Sequence, residues 1–261
     1  MNTDSNSYIL SLREVRKYFG GIKAVDGVSI DVMPNRITGL IGPNGAGKTT
    51  LFNLISGLYK PDAGEIYFNG ERIDQLTMNQ TFHKGLCRTF QISRELKLMT
   101  VLENLMLVPP GQHGESLFRT WFFPRMVRQQ ERNIREKALE SLRSTGLLHL
   151  KDEYAGNLSG GQKRLLELAR TMMAEPSLIL FDEPGAGVNP SERRTLAERI
   201  RNLVSEQEIT VFLIGHEMEL VMDICNPIIV MERGKKLTEG SPEEVRNDKR
   251  VLEVYLGGVA E

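Results

Sequence analysis

The chain has 261 residues, of which 40% are hydrophobic and 26% charged, an ordinary globular composition able to bury a substantial core. Its 33 basic and 34 acidic residues leave a formal net charge of −1, which excludes the basic balance of a dedicated nucleic-acid binder; pairs such as Arg193-Arg194 and Lys235-Lys236 read as solvated faces. Apolar stretches fall short of the roughly 18 to 20 residues that span a bilayer, Met1 to Ser7 lacks the apolar centre of a secretory signal, and Cys87 and Cys225 show no CxxC spacing, so the expectation is a reducing cytoplasm, no zinc or disulfide framework and at most peripheral membrane contact.

From the N-terminus, Tyr8 to Val15 alternates apolar and polar residues, and Val28 to Val32 repeats the pattern beyond the turn signal Gly20-Gly21, predicting an antiparallel portion. Ile37 to Ile41, Ser177 to Phe181 and Thr210 to Ile214 are instead short, continuously apolar runs, as in parallel strands covered on both faces. Between them, Glu131 to Arg143 has helical periodicity, and the stretch from about 90 to 170 reads as a mostly helical insertion. In Ser191 to Gln207, Leu196, Ile200, Leu203 and Val204 share one face, and Asn189-Pro190-Ser191-Glu192 supplies a cap, a first-turn proline and an acidic residue.

Gly42-Pro43-Asn44-Gly45-Ala46-Gly47-Lys48-Thr49 fits Gly-x-x-x-x-Gly-Lys-Ser/Thr, after an apolar strand and before the amphipathic segment Thr50 to Leu58. Glycines let backbone N–H groups wrap around phosphate oxygens, and a helix N-terminus adds positive potential. Lys48 is then expected on the β- and γ-phosphates of ATP, with the Thr49 hydroxyl on Mg²⁺ and Thr50 completing the loop's contacts. A carboxylate for that metal stands at the end of the run Leu178 to Glu183: Asp182 toward Mg²⁺, and Glu183 placed to activate the attacking water. His216, after the run Val211 to Ile214, is a candidate contact to the γ-phosphate, whereas His83, His113 and His149 read as ordinary histidines.

Leu158-Ser159-Gly160-Gly161-Gln162, placed before the expected helix Lys163 to Met173, resembles the signature of the ABC (ATP-binding cassette) ATPases. The resemblance covers almost the whole chain and implies an α/β fold: a P-loop NTPase core with a parallel sheet, an N-terminal antiparallel β portion and an inserted helical subdomain. It also implies one cassette over 1–261, with core at about 1–90 and 171–261 and helical subdomain at about 91–170. In that family two cassettes pair head to tail, each signature closing over the other's ATP. Carried over by position, Phe19 looks like the aromatic that stacks on adenine, with Tyr18 beside it and Val25 on the other side. Gln91 matches the glutamine that senses the γ-phosphate and Mg²⁺ and relays to a membrane partner, and His216 matches the switch histidine. Most cassettes have an aspartate near Asn189; this chain departs there.

Within the family, Arg88-Thr89-Phe90-Gln91, Met99 to Leu105, the run Glu183 to Val188, the ending Val251 to Gly257 and an extra segment between Val108 and Glu131 resemble the ATPase subunits of branched-chain amino acid importers. Urea and amide importers and lipopolysaccharide-export ATPases share many of these features, and non-transport members of the family form a further class. The resemblance implies Mg²⁺-dependent ATP hydrolysis, a second cassette as homo- or heterodimer partner, transmembrane permease subunits, no nucleic acid, and a place on the cytoplasmic face of the membrane. Trp121-Phe122-Phe123 reads either as a partner or membrane-proximal contact or as a miniature core beneath its own loop.

Overall fold

The structure is a computed structural model and describes residues 8–89 and 95–256. The chain divides into two compact units: Met1–Gln91 with Pro176–Ala186 and Ile200–Glu261, and Ile92–Glu175 with Gly187–Arg199. Strands β1 (Leu10–Phe19), β2 (Ile22–Val32), β3 (Ile37–Ile41), β4 (Ala63–Phe68), β5 (Glu71–Arg72), β6 (Leu86–Arg88), β7 (Leu178–Asp182), β8 (Thr210–Ile214), β9 (Ile228–Glu232) and β10 (Lys235–Gly240) build the first unit. The helices are α1 (Lys48–Ile55), α2 (Met78–His83), α3 (Val101–Met106), α4 (Leu117–Phe122), α5 (Pro124–Ser144), α6 (Gly160–Met172), α7 (Pro190–Gln207), α8 (Met218–Ile224), α9 (Pro242–Asn247) and α10 (Lys249–Leu256).

Two sheets form the first unit, one ordered β2-β1-β4-β5 and antiparallel, the other β10-β9-β3-β8-β7-β6. In the second sheet β3, β6, β7, β8 and β9 run parallel, which is why β3, β7 and β8 are continuous apolar runs buried at every position. β8 lies beside β7 as expected, and it also separates β7 from β3. The alternating residues Leu10, Leu12, Val28 and Ile30 turn inward to one core with Leu51, Phe52 and Phe212; the Phe52 and Phe212 rings lie 5.1 Å apart. Strand β9, from the apolar run Ile228 to Met231, extends the sheet beyond what the sequence reading anticipated.

The second unit has its own core, where α3, α5 and α6 bury Val101, Leu105, Ile134, Ala138, Leu142 and Leu166. Two helix boundaries differ from expectation. Helix α1 starts at Lys48 and ends at Ile55, and α6 starts at Gly160, because Ser159 caps it and brings the glycine pair into the first turn. Among the described residues no helix is long and apolar enough to cross a membrane.

Candidate functional site

In a parallel sheet the loops at the carboxyl ends of adjacent strands converge. Here β3, β8 and β7 lie side by side and lead to the glycine-rich loop, His216 and Asp182-Glu183 respectively. The loop's conformation demands glycine: Gly47 has φ 98°, and a Cβ there would stand 2.2 Å from the Ala24 carbonyl oxygen. At Gly42 an added Cβ would meet the Met231 carbonyl oxygen at 2.2 Å. Neighbouring backbone pins the loop, since Gly234 N donates to Ala46 O at 3.0 Å and Asp26 N donates to Gly234 O at 2.8 Å. Helix α1 starts from Gly47 without a side-chain cap, so no side chain of its own N-cap answers its first N–H groups.

Lys48, 5% exposed, donates through Nζ to Gly42 O at 2.7 Å and Pro43 O at 3.0 Å. Burial pushes its ammonium below the usual lysine range, while the charges of Glu183 and Asp182 oppose that fall. A cavity of about 510 Å³ is lined by the loop from Asn44 to Thr50 together with Glu183, His216, Ile22 and Arg233. It therefore gathers Asn44, Gly45, Ala46, Gly47, Lys48, Thr49 and Thr50 with Glu183 and His216, two of the residues expected beyond the loop. Gly42 and Pro43 meet the lysine through their carbonyls instead.

Asp182 is not in this lining; it is buried, with Oδ2 accepting from Arg88 Nη2 at 2.8 Å. Arg88 is itself buried and also donates to Asn53 Oδ1 and to Ser56 Oγ. The second oxygen, Asp182 Oδ1, is buried without a hydrogen-bond partner among the described residues. A bare buried carboxylate oxygen together with the exposed Thr49 hydroxyl suits a hard cation. Glu183 takes a left-handed backbone conformation, φ 55°, that a non-glycine residue adopts only at a cost. Its N–H donates to Ile214 O at 2.9 Å, and its Oε1 lies 2.8 Å from His216 Nε2. The contact with His216 was not foreseen: the ring was expected on phosphate, and here it holds the carboxylate.

Gln91 lies outside the described residues. Val25 is a correction: it falls on the inward face of β2 and is fully buried in the core. Phe19, 43% exposed, packs edge-on against Tyr59 at 5.6 Å, and the adenine contact that the resemblance implies for it stays a proposal. Ile22, 70% exposed, and Ala24 are the apolar residues of β2 in the lining. In the second unit Leu158 is buried and Ser159 begins α6 with a reciprocal capping pair: Ser159 Oγ accepts from Gln162 N at 3.2 Å, and Gln162 Oε1 accepts from Ser159 N at 2.9 Å. Ser159 Oγ also donates to Glu192 Oε1 at 2.7 Å, and a Cβ on Gly161 would meet the Glu192 carboxyl carbon at 2.6 Å. Gly160 is exposed. The sequence reading missed Arg88, Asn53, Ile22 and Glu192 as functional neighbours. For Gln162 the Ser-x-x-Gln spacing was an available signal of its capping role.

A family model described as "ABC transporter" matches residues 25–186, and one described as "Branched-chain amino acid ATP-binding cassette transporter" matches residues 235–261. The chain is 40% identical over 249 residues to the high-affinity branched-chain amino acid transport ATP-binding protein BraF of Pseudomonas aeruginosa, covering 95% of this chain and 98% of that one. It is 41% identical over 249 residues to the probable branched-chain amino acid transport ATP-binding protein LivG of Archaeoglobus fulgidus, covering 95% of each. A solved structure described as the ADP conformation of an ATP-binding cassette of an ABC transporter superposes with a TM-score of 0.82 at 38% identity, covering 96% of this chain and 99% of that one.

Proposed function

The chain belongs to the ATP-binding cassette family of ABC transporters, and on that premise we propose that it is the ATP-hydrolysing subunit that energises import of branched-chain amino acids. The substrate class rests on the match at residues 235–261 and on what the relatives are named for. One observation carries the chemistry: the glycine-rich loop, Lys48, Glu183 and His216 share a single cavity wall.

The loop's backbone N–H groups and the Lys48 ammonium bind and orient the ATP phosphates. Asp182, Thr49 and Gln91 would hold Mg²⁺, which when bound neutralises charge on the phosphate oxygens. Glu183 accepts the proton of the attacking water, and His216, beside Oε1, fixes the direction in which that carboxylate faces. Leu158, Ser159, Gly160, Gly161 and Gln162 close over the nucleotide of a second cassette, of the same or a related chain. Permease subunits at the cytoplasmic membrane face receive the motion through the loop around Gln91.

The test uses the chain assembled with its permease in proteoliposomes. Glu183→Gln retains ATP binding, loses on the order of 10²–10⁴-fold in turnover and accumulates as a closed ATP-bound dimer. Full turnover in that variant removes Glu183 as the base. ATP-driven uptake of labelled leucine or isoleucine, with urea and short amides as competitors, decides the substrate class.

A further inference from the structure

The segment from α4 into α5 is used by nothing in the ATPase reading, and it brings two kinds of exposed side chain close together along the chain. The first is apolar: Phe118 is 63% exposed, Trp121 82%, Phe122 61% and Phe123 51%, with Met126 exposed beside them. The rings form a cluster, since Phe118 lies 4.6 Å from Phe122 and 6.4 Å from Phe123 between centroids. This settles the choice left open by the sequence: the trio is not a miniature core beneath its loop. Nor is it the lost side of the helical core, because α5 turns Val127, Ile134, Ala138 and Leu142 inward and leaves the aromatic cluster out.

The second kind is basic. Arg125, Arg128, Arg132 and Arg135 follow at intervals of three, four and three residues, a spacing that lines them along one stripe of α5. All four are exposed, and among the described residues none has a hydrogen-bond or ion-pair partner. Residues 117–137 hold six basic and two acidic residues, in a chain whose formal net charge is −1. The positive charge is therefore local to the aromatic cluster.

We propose that this aromatic and arginine surface binds the headgroup region of an anionic lipid bilayer directly. Exposed Trp and Phe beside a basic helical stripe is the composition that settles at the boundary between acyl chains and headgroups. The rings supply apolar area, and the stripe runs along about 15 Å of helix to meet phosphates dispersed over a surface. A protein partner would instead answer four unpaired guanidinium groups with carboxylates at fixed positions, which the open stripe does not require. The contact does not rest on the ATPase reading, because none of its residues lines the nucleotide cavity.

Trp121 is the only tryptophan of the chain, so its fluorescence reports on this surface alone. The full chain is mixed with vesicles of phosphatidylcholine, or of phosphatidylcholine and phosphatidylglycerol in equal parts. With the anionic vesicles the emission shifts to shorter wavelength and the chain cosediments, an effect that weakens as salt is raised; the neutral vesicles give little of either. Replacing the four arginines with serine weakens binding by roughly fivefold per arginine removed, and ATP binding is unchanged. Three results overturn the proposal: no shift and no cosedimentation with anionic vesicles at low salt, equal binding by the arginine variant, or a Trp121 shift produced only by the permease or by self-association without lipid.

Discussion

Arg88 and Asp182 form a buried ion pair whose halves come from the neighbouring strands β6 and β7. The arginine occupies one carboxylate oxygen and leaves the other bare, so it acts as a positioning residue for the group proposed to hold Mg²⁺. Removing it strands a charge inside the protein, and Arg88→Ala is expected to cost about 3–5 kcal/mol, read as a lowered urea midpoint. Arg88→Lys keeps the charge and recovers part of the loss but not the forked geometry, with turnover reduced more than ATP binding. Had both variants unfolded like the native chain, the pair would carry no such weight. Lys48, Thr49, Asp182 and Glu183 were placed at strand ends by residue type and order along the chain, whereas His216 was singled out by its position after an apolar run and by the family resemblance. Arg88 was not, because a basic residue at a strand end reads equally well as solvated, and only the fold shows it sealed against Asn53. The adenine-side reading misplaced Val25 for a related reason: the phase of β2 decides which side chains face the cleft, and that phase is set by pairing with β1.

Among secondary-structure elements, strands were easier to read than helix starts. A run such as Thr210 to Ile214 has little choice, since apolar residues without period suit only a strand buried on both faces. At α6 two glycines argue locally against a helix, yet the cap formed by Ser159 and Gln162 outweighs them and moves the start to Gly160. Glu192 then closes the same N-terminus from the first turn of α7. Ser159→Ala is expected to lower stability by about 1 kcal/mol, a modest shift in the thermal midpoint. Ser159→Thr retains the cap oxygen and most of the stability. Should alanine prove neutral, the cap would not be what starts α6 where it does. The partner-facing role proposed for the signature needs this same hydroxyl, so the alanine variant separates the two contributions: a small stability loss beside a large loss of ATP-dependent pairing.

In the assembled chain, Cys87 and Cys225 are both free and buried in the first unit, and burial pushes each thiol up to about 12. An unfolded chain releases those protons near the ordinary value of 9.0, so the folded state binds more protons above that point. The contribution is therefore complete below pH 9 and is lost as pH rises toward 12, at about 1.4 kcal/mol per pH unit for each thiol. Urea midpoints measured at rising alkaline pH should fall along this slope, and the double variant Cys87→Ala, Cys225→Ala should flatten it. A slope unchanged by removing both thiols would assign the alkaline loss to other groups. The division into an α/β unit and a helical unit was visible in the change of periodicity along the chain. The membership of residues 187–199 in the helical unit was not, since contact in space leaves no trace in local pattern. Gly47 is wedged between the backbone of β2 and the turn that joins β9 to β10, so two sheets meet the phosphate loop at a point with no room for a single carbon atom. The phosphate loop can therefore carry no side chain at Gly47 and must present bare backbone there, while Ile22 on the same cavity wall stands largely exposed, with room for apolar side chains of other shapes.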